Sequence, residues 1–208
     1  MSIQSIIAHE QPDSFAFTAE NEEKILTILA KYPEGRQASA VMPMLDLAQR
    51  QHQNWIPMKA IEHIAKRLDM AEIRVLEVAS FYTMYNLKPV GKWFLQACTT
   101  TPCMLRGSDD MVRCIKDKLD ISSGQTSECG RFTMLEVECL GACVNAPILQ
   151  VNGELYADLD YQSTAALIEA LAADTPPPVG SVIGRQGSES EAGATTLVKE
   201  KKTAKAGK

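Results

Sequence analysis

The sequence predicts an α+β protein with an N-terminal helical bundle, a following domain of alternating strands and helices, and a disordered C-terminal tail. Apolar residues recur at helical spacing between residues 18 and 86. Short apolar runs bounded by turn residues alternate with helical segments between residues 90 and 174. Beyond residue 174 the chain is rich in Pro, Gly, Ser, Glu and Lys. We therefore expect a flexible N-terminus over 1–17, the bundle over 18–86, the strand-containing domain over 90–174 and the tail over 175–208.

Four short helices are predicted in the bundle. Thr18 can cap the first, whose acidic first turn suits the helix dipole, and Pro33 stops it. Pro57 opens the third helix, and Asp69 with Glu72 matches a capping box for the fourth. The apolar residues that define the helical faces are Ile25, Ile28, Leu29, Met44, Leu45, Ala48, Ile61, Ile64, Ala65, Leu68, Ile73, Leu76 and Ala79. Short helices joined by short connections are typical of a small bundle.

Strands are expected at four places in the second domain. Apolar runs predict strands at 93–97 and 132–137. Two further strands, 148–151 and 154–157, flank Asn152-Gly153, which is a strong signal for a tight hairpin.

Two helices are expected between and after these strands. Ser108 can cap a helix that runs to Leu119, and Ser163 or Thr164 opens a final helix. The resulting order, βαβ followed by ββα, is that of the thioredoxin fold. This fold would place sites at the carboxyl ends of its strands.

Four of the six cysteines form two close pairs at such strand ends. Cys98 and Cys103 are separated by four residues, and Cys139 and Cys143 by three. Two pairs on short loops can meet as one site with four thiolates. The other two cysteines are predicted to be unligated, Cys114 on a helix and Cys129 in a loop.

Three kinds of site use four cysteines. Disulfides require an oxidising compartment, and the first residues lack the basic start and apolar run of a secretory signal. A structural zinc tolerates these spacings but prefers tighter knuckles. A [2Fe–2S] cluster also takes four thiolates and tolerates a four-residue gap, although Arg106 excludes the plant-type ferredoxin pattern. Spacing alone favours the cluster and leaves zinc open.

Charge and missing motifs exclude several functions. The net charge is −5, and the tail carries six basic against three acidic residues, which leaves −8 on residues 1–174. Because residues 1–174 carry this excess of negative charge, they are not expected to bind nucleic acid. No apolar run is long enough for a membrane span. Neither G-x-G-x-x-G nor a P-loop occurs, so the chain alone is not expected to bind NADH or flavin. His9, His52 and His63 are scattered and are expected to have surface or structural roles.

Three segments resemble one known family. Residues 98–108 (CTTTPCMLRGS) and 136–147 (EVECLGACVNAP) resemble the two cluster loops of the small thioredoxin-like [2Fe–2S] subunit of the NADH-oxidising module of respiratory complex I. Residues 81–91 (FYTMYNLKPVG) resemble the family's link between its helical and ferredoxin parts. The resemblance covers roughly residues 18–173, and all four cysteine positions agree with the family pattern.

The resemblance implies an electron-transfer subunit of NADH:quinone oxidoreductase with no catalytic activity of its own. It implies one [2Fe–2S] cluster on Cys98, Cys103, Cys139 and Cys143. FMN and NADH would be bound by a larger partner subunit, beside other complex I subunits. The implied location is cytoplasmic, on the peripheral arm at the inner face of the bacterial plasma membrane, or the matrix side in mitochondria.

Two alternatives remain open. The chain could be the homologous subunit of an NAD-dependent hydrogenase or formate dehydrogenase. It could also be a zinc-stabilised thioredoxin-like adaptor without a redox role.

One electrostatic expectation concerns the acidic residues next to the second cysteine pair. Two ferric ions, two sulfides and four thiolates sum to a charge of −2, which becomes −3 on reduction. Glu136 and Glu138 lie close in sequence and would oppose reduction, so we expect a low reduction potential. Backbone N–H groups of the loops, where Gly141 and Ala142 permit close approach, would stabilise the sulfurs.

Overall fold

The computed structural model describes residues 7–185 and residue 187. Two compact units make up the chain. The first contains the described residues up to Leu95 together with Leu119–Leu135. The second contains Gln96–Lys118 and the described residues from Glu136 onward. No helix in the described part of the chain is long and apolar enough to cross a membrane.

The first unit contains the four predicted bundle helices. They are α1 (Ala19–Leu29), α2 (Val41–Gln51, preceded by a 3-10 turn at Gln37–Ala40), α3 (Met58–Leu68) and α4 (Glu72–Phe81). Thr18 caps α1 as predicted, because its Oγ1 accepts the Asn21 N–H at 3.3 Å. Pro57 is the N-cap residue of α3, also in agreement with the prediction.

The predicted capping box at the start of α4 is wrong. Asp69 instead ends α3 in the left-handed conformation, with φ 51°. The Met70 N–H donates to the Ala65 carbonyl at 2.9 Å, so the chain reverses direction before α4 begins. Ala71 is the N-cap residue of α4, and its side chain makes no capping hydrogen bond. Aspartate tolerates the left-handed region, which is why a residue with a capping side chain can end a helix.

Apolar residues of all four helices form one buried core, but Ile73, which was predicted to lie on the apolar face of α4, is 53% exposed. The fully buried members of this core include Ile25, Met44, Leu45, Ile61 and Ile64. The predicted stripes of α1 to α3 are therefore the buried faces of these helices.

Residues 7–17 differ from the expected flexible N-terminus. The Ala8 N–H donates to the Leu87 carbonyl at 3.0 Å. Phe17 is buried, and the Phe15 ring meets it edge-on with centroids 5.1 Å apart. Burial of these rings explains the order, since each removes a large apolar area from water. Residues 1–6 lie outside the described residues.

Six strands occur in the order β2-β3-β1-β4-β5-β6. The four predicted strands are confirmed as β1 (Trp93–Cys98), β3 (Phe132–Val137), β4 (Ile148–Val151) and β5 (Glu154–Ala157). Two short strands were not predicted, β2 (Gln125–Thr126) and β6 (Gly180–Ser181). β2 pairs antiparallel with β3, and its two residues are too few to give a periodic sequence signal.

The β4–β5 hairpin matches its prediction. The strands are antiparallel, with Ile148 opposite Ala157 and Val151 opposite Glu154. Asn152 has φ 57°, the left-handed conformation that this turn signal implies.

Three further helices follow β1. They are α5 (Thr101–Leu105), α6 (Ser108–Leu119) and α7 (Tyr161–Ala172). The single turn of α5 was not predicted. Ser108 was predicted to cap α6 but is its first helical residue, and its buried hydroxyl has no hydrogen-bond partner within the described residues. Gly107, with φ 99°, makes the turn immediately before it, so the chain is already helical at Ser108.

The predicted start of α7 is also wrong. Asp160 is the N-cap residue, three residues before Ser163. The Asp160 carboxylate accepts the Ser163 N–H at 2.7 Å, and Ser163 Oγ accepts the Asp160 N–H at 2.8 Å. Ser163 therefore completes a capping box opened by Asp160 rather than opening the helix itself.

The beginning of the predicted tail is ordered. Gly180 and Ser181 form β6, which pairs parallel with β5 opposite Tyr156 and Ala157. Backbone pairing with a neighbouring strand orders this segment despite its Pro- and Gly-rich composition. Residue 186 and residues 188–208, which make up the rest of the predicted tail, lie outside the described residues.

Candidate metal centre

The first cysteine loop begins where β1 ends. Cys98 is the last residue of β1, and Cys103 lies in the single turn of α5. The Met104 N–H donates to the Thr100 carbonyl at 2.9 Å, and this turn brings Cys103 back toward Cys98. Both residues are only 1% exposed. Each thiol is close enough to the other to shift its pKa, so the two cysteines are neighbours within the fold.

The second cysteine loop follows β3. The Sγ atoms of Cys139 and Cys143 are 3.3 Å apart, and both residues are exposed. Gly141, with φ 80°, makes the turn between them and donates its N–H to Cys139 Sγ at 3.4 Å. A 3-10 turn at Cys143–Asn145 then leads to the Ala146–Pro147 peptide bond, which is cis.

The two loops meet. The Leu140 backbone N–H of the second loop is close enough to the Cys98 thiol of the first to lower its pKa. The Thr100 hydroxyl lies 3.3 Å from Cys98 Sγ, and it also lowers the pKa of Cys139. The four cysteines that the sequence singled out therefore lie on neighbouring loops, and the Gly141 N–H donates to one of their sulfurs.

Small and apolar residues surround the buried pair. Ala146, Ile148 and Ala157 pack with Cys98 and Cys103 in one cluster. This wall excludes water from the inner side of the site, while the outer pair stays in contact with solvent.

The buried pair has thiols of opposite character. Burial opposes ionisation of Cys98, but hydrogen bonds from Thr100, the Leu140 N–H and Cys103 outweigh it and lower the pKa of Cys98. Burial raises the pKa of Cys103 to about 12, and its hydrogen bond to Cys98 acts in the same direction.

The exposed pair, Cys139 and Cys143, likewise has one thiol with a lowered pKa and one with a raised pKa. The Gly141 N–H, followed by the Cys143 thiol, lowers the pKa of Cys139. The hydrogen bond to Cys139, followed by burial, raises the pKa of Cys143. In each pair the pKa of one thiol is therefore lowered and that of the other is raised. A metal ion that takes up both sulfurs supplies the positive charge that the second deprotonation requires.

The four thiols suit two kinds of metal site. The candidate thiols fall into two pairs, Cys98 with Cys103 and Cys139 with Cys143. Four thiolates are the donor set of a [2Fe–2S] cluster. They are also the donor set of a structural zinc, so the family comparison below decides between the two.

The remaining candidate residues lie apart from this group. Cys114 is buried on α6, where burial raises the pKa of its thiol. Cys129 is exposed, and a hydrogen bond to Ser127 is the main cause that lowers its pKa. His52 and His63 pack against aromatic rings of the first unit.

Sequence reasoning did not assign a role to the Thr100 hydroxyl, which lies beside Cys98 Sγ and also lowers the pKa of Cys139. Thr100 lies between the candidate ligands Cys98 and Cys103 in the sequence, and this position could have identified it as a supporting residue. Glu136 and Glu138 are both exposed, so solvent screens the charge that they were expected to place near the site.

A donor set made only of sulfur, held on loops at strand ends and supported by N–H groups, suits an iron–sulfur protein of the electron-carrier class, and it also suits a structural zinc. Comparison with known proteins gives the family. The family model described as thioredoxin-like [2Fe-2S] ferredoxin matches residues 25–172. The chain belongs to this family, which confirms the predicted fold and the predicted cofactor, one [2Fe–2S] cluster.

Two relatives illustrate the similarity. The chain is 46% identical over 184 residues to the mitochondrial NADH dehydrogenase [ubiquinone] flavoprotein 2 of Dictyostelium discoideum, covering 88% of this chain and 74% of that protein. It is 48% identical over 161 residues to a subunit of the NADH-quinone oxidoreductase of Rickettsia bellii, covering 77% of this chain and 96% of that subunit. These matches confirm the resemblance seen in the cysteine loops.

Among solved structures, an NAD+-reducing [NiFe]-hydrogenase in the air-oxidised state has the same fold. The TM-score is 0.55 at 21% identity. The match covers 64% of this chain and 23% of the hydrogenase chain.

Proposed function

We propose that Cys98, Cys103, Cys139 and Cys143 ligate one [2Fe–2S] cluster, and that the chain is the electron-transfer subunit of an NADH:quinone oxidoreductase. The observation that carries this proposal is that two cysteine pairs lie on neighbouring loops: Cys139 and Cys143 are in contact, and the Thr100 hydroxyl beside Cys98 also lowers the pKa of Cys139. Relatives named as subunits or flavoproteins of NADH dehydrogenases support the assignment to that complex.

The residues of the chain hold the cluster and stabilise its charge. When bound, the cluster accepts and donates one electron at a time. The N–H groups of Leu140 and Gly141 and the Thr100 hydroxyl point at the sulfurs and stabilise negative charge on them. The chain itself makes and breaks no substrate bond, so it contributes to NADH oxidation only as part of the complex.

Electrons are exchanged on the side of the exposed pair. Cys139 and Cys143 face solvent, whereas Cys98 and Cys103 are buried. Met104, Leu105 and Val144, which follow cysteines of the two loops, expose apolar side chains. A partner protein that covers these side chains would bring its own redox group near the cluster and exclude water from the contact.

The partner on this side is the larger subunit that binds NADH and flavin. The chain has neither phosphate-binding motif, so it depends on a partner for both molecules. Assembly with this subunit and with other subunits of the complex places the chain in the peripheral arm, at the inner face of the bacterial membrane or on the matrix side in mitochondria.

The test is the visible and EPR spectrum of the anaerobically purified full-length chain, with iron, zinc and sulfide analysis. We expect a reddish-brown oxidised protein that bleaches with dithionite and gives a rhombic S = ½ signal. Serine substitution of Cys98, Cys103, Cys139 or Cys143 should reduce cluster content, whereas Cys129→Ser, at an exposed cysteine outside the two pairs, should not. A colourless, EPR-silent protein with stoichiometric zinc would instead indicate the zinc-stabilised thioredoxin-like adaptor without a redox role.

A separate purification identifies the parent complex. The native chain, tagged and isolated from its own cells, should bring down a flavin-containing subunit together with NADH:quinone reductase activity. Recovery of hydrogenase or formate dehydrogenase activity would assign the chain to one of the related complexes. Leu105→Glu should weaken this co-purification while leaving the cluster spectrum intact, because a charge at an exposed apolar contact opposes its desolvation.

A further inference from the structure

An ordered segment beyond the family match is fastened to β5. The family model ends at residue 172, and we call residues 180–185, which follow it, the C-terminal strap. The strap begins with β6, and the Val182 N–H donates to the Ala157 carbonyl at 3.1 Å. Ser181 Oγ then accepts the N–H groups of Ile183 and Arg185 at 3.3 and 3.1 Å, which folds the strap back on itself.

A buried carboxylate connects this strap to the second cysteine loop. The Asp158 side chain is 4% exposed and accepts hydrogen bonds from two sides. The Asn145 side-chain amide donates to it at 2.8 Å, and the Ser181 hydroxyl at 2.7 Å. The Asp158 N–H also donates to the Asn145 carbonyl at 2.7 Å. Asn145 lies two residues after Cys143, so Asp158 anchors the end of that loop.

Arg185 completes the network. Its guanidinium lies 3.3 Å from the second carboxylate oxygen of Asp158 and also donates to the Val144 carbonyl. Val144 directly follows Cys143. The strap therefore brings a permanently charged group to the backbone next to a proposed ligand.

We propose that Arg185 is a positioning residue of the metal centre, which holds the loop of Cys139 and Cys143 and raises the reduction potential of the cluster. This inference rests on the proposed ligands and cofactor. Reduction adds one negative charge to the site, and a nearby cation stabilises the reduced form more than the oxidised form. The guanidinium is 45% exposed, so solvent weakens this effect without removing it.

The full-length chain purified with its cluster allows a direct test. Arg185→Gln removes the charge and keeps an amide donor, whereas Arg185→Lys keeps the charge. Arg113→Gln is the matched control, because Arg113 is an exposed arginine of the same unit paired with Asp110 on α6. Potentials are measured by EPR-monitored redox titration, and loop integrity by the rate of iron release to a chelator.

Arg185→Gln should move the midpoint potential to more negative values. At the midpoint potential of the wild type, its reduced-to-oxidised ratio should fall several-fold, and the difference should shrink in high salt. Iron should be released several-fold faster, because the loop has lost one of its anchors. Arg185→Lys should have a potential close to that of the wild type, and Arg113→Gln should change neither quantity.

Two results would overturn the inference. One is a potential and an iron-release rate in Arg185→Gln that equal those of the wild type. The other is an equal shift in Arg113→Gln, which would mean that the overall charge of the chain sets the potential. A wild-type chain that carries no cluster would instead refute the proposed function, and the cluster content measured before the titration separates these cases.

Discussion

Replacing Thr100 by valine tests whether a side-chain hydroxyl helps to set the potential of the cluster. The hydroxyl lies 3.3 Å from Cys98 Sγ and also lowers the pKa of Cys139, so it acts on thiols of both cysteine loops. Valine has nearly the same shape and lacks the donor. The substitution therefore removes a hydrogen bond while leaving the packing of the loop largely unchanged.

The size of the effect follows from the single proton that a threonine hydroxyl can donate. Once both sulfurs are thiolates, Thr100 can donate to only one of them at a time. A hydrogen bond to a charged group contributes about 1.5–3 kcal/mol. Reduction raises the negative charge of the cluster from −2 to −3, so this bond strengthens by up to half, or roughly 1 kcal/mol. Because sulfur is a weak acceptor, we expect a decrease in potential of about 20–40 mV for this one-electron couple.

The assay is an EPR-monitored redox titration of the wild type and Thr100→Val, with Thr101→Val as a matched control. Thr101 is the neighbouring residue, and its side chain is exposed. The control should titrate like the wild type. If Thr100→Val keeps a full cluster and its potential is unchanged or higher, then the hydroxyl does not donate to the reduced cluster and the reasoning is wrong.

Further predictions concern stability, reactivity and charge. Asp160→Ala should lower the free energy of unfolding by about 1 kcal/mol in urea titrations. Because hydrogen bonds from Ser163 lower the pKa of Asp160, this contribution should be present above the pKa of Asp160 in the unfolded chain and be lost as pH falls through its pKa in the folded chain. In Asp160→Asn the contribution should not depend on pH. Ile64→Ala in the fully buried core should cost about 2–5 kcal/mol in the same assay. In chain freed of metal, iodoacetamide should label exposed Cys139 well before buried Cys103, as mass spectrometry of timed samples would show. Glu138→Gln should raise the potential slightly, because it removes an exposed negative charge beside the second cysteine pair.

The elements that the sequence predicted correctly are those with a periodic pattern. The stripe of α3 and the alternation around Asn152-Gly153 extend over several residues, so no single ambiguous residue decides the interpretation. The two cysteine pairs were identifiable for a similar reason, because their close spacing is independent of the rest of the fold.

Helix starts were predicted less well, because a capping side chain acts only if its residue has non-helical backbone angles. Asp69, Ser108 and Ser163 all have suitable side chains, and none of them is the N-cap residue of the helix it was expected to open. Asp69 ends the preceding helix, Ser108 is already helical after the turn at Gly107, and Ser163 completes the box opened by Asp160. The residue type alone does not show which of these positions has the non-helical backbone of an N-cap residue.

The supporting residues of the metal centre could not be predicted, because their contacts join distant parts of the chain. Arg185 reaches the carbonyl of Val144 across 41 positions, through a strap whose composition indicates disorder. Its place is set by the pairing of β6 with β5 and by the buried carboxylate of Asp158, and neither has a local sequence signal. Candidate ligands can thus be selected from spacing, whereas the groups proposed to tune them depend on which segments the fold brings together. Substitutions in the strap should therefore alter the properties of the cluster even though they lie outside the part of the chain that the family model matches.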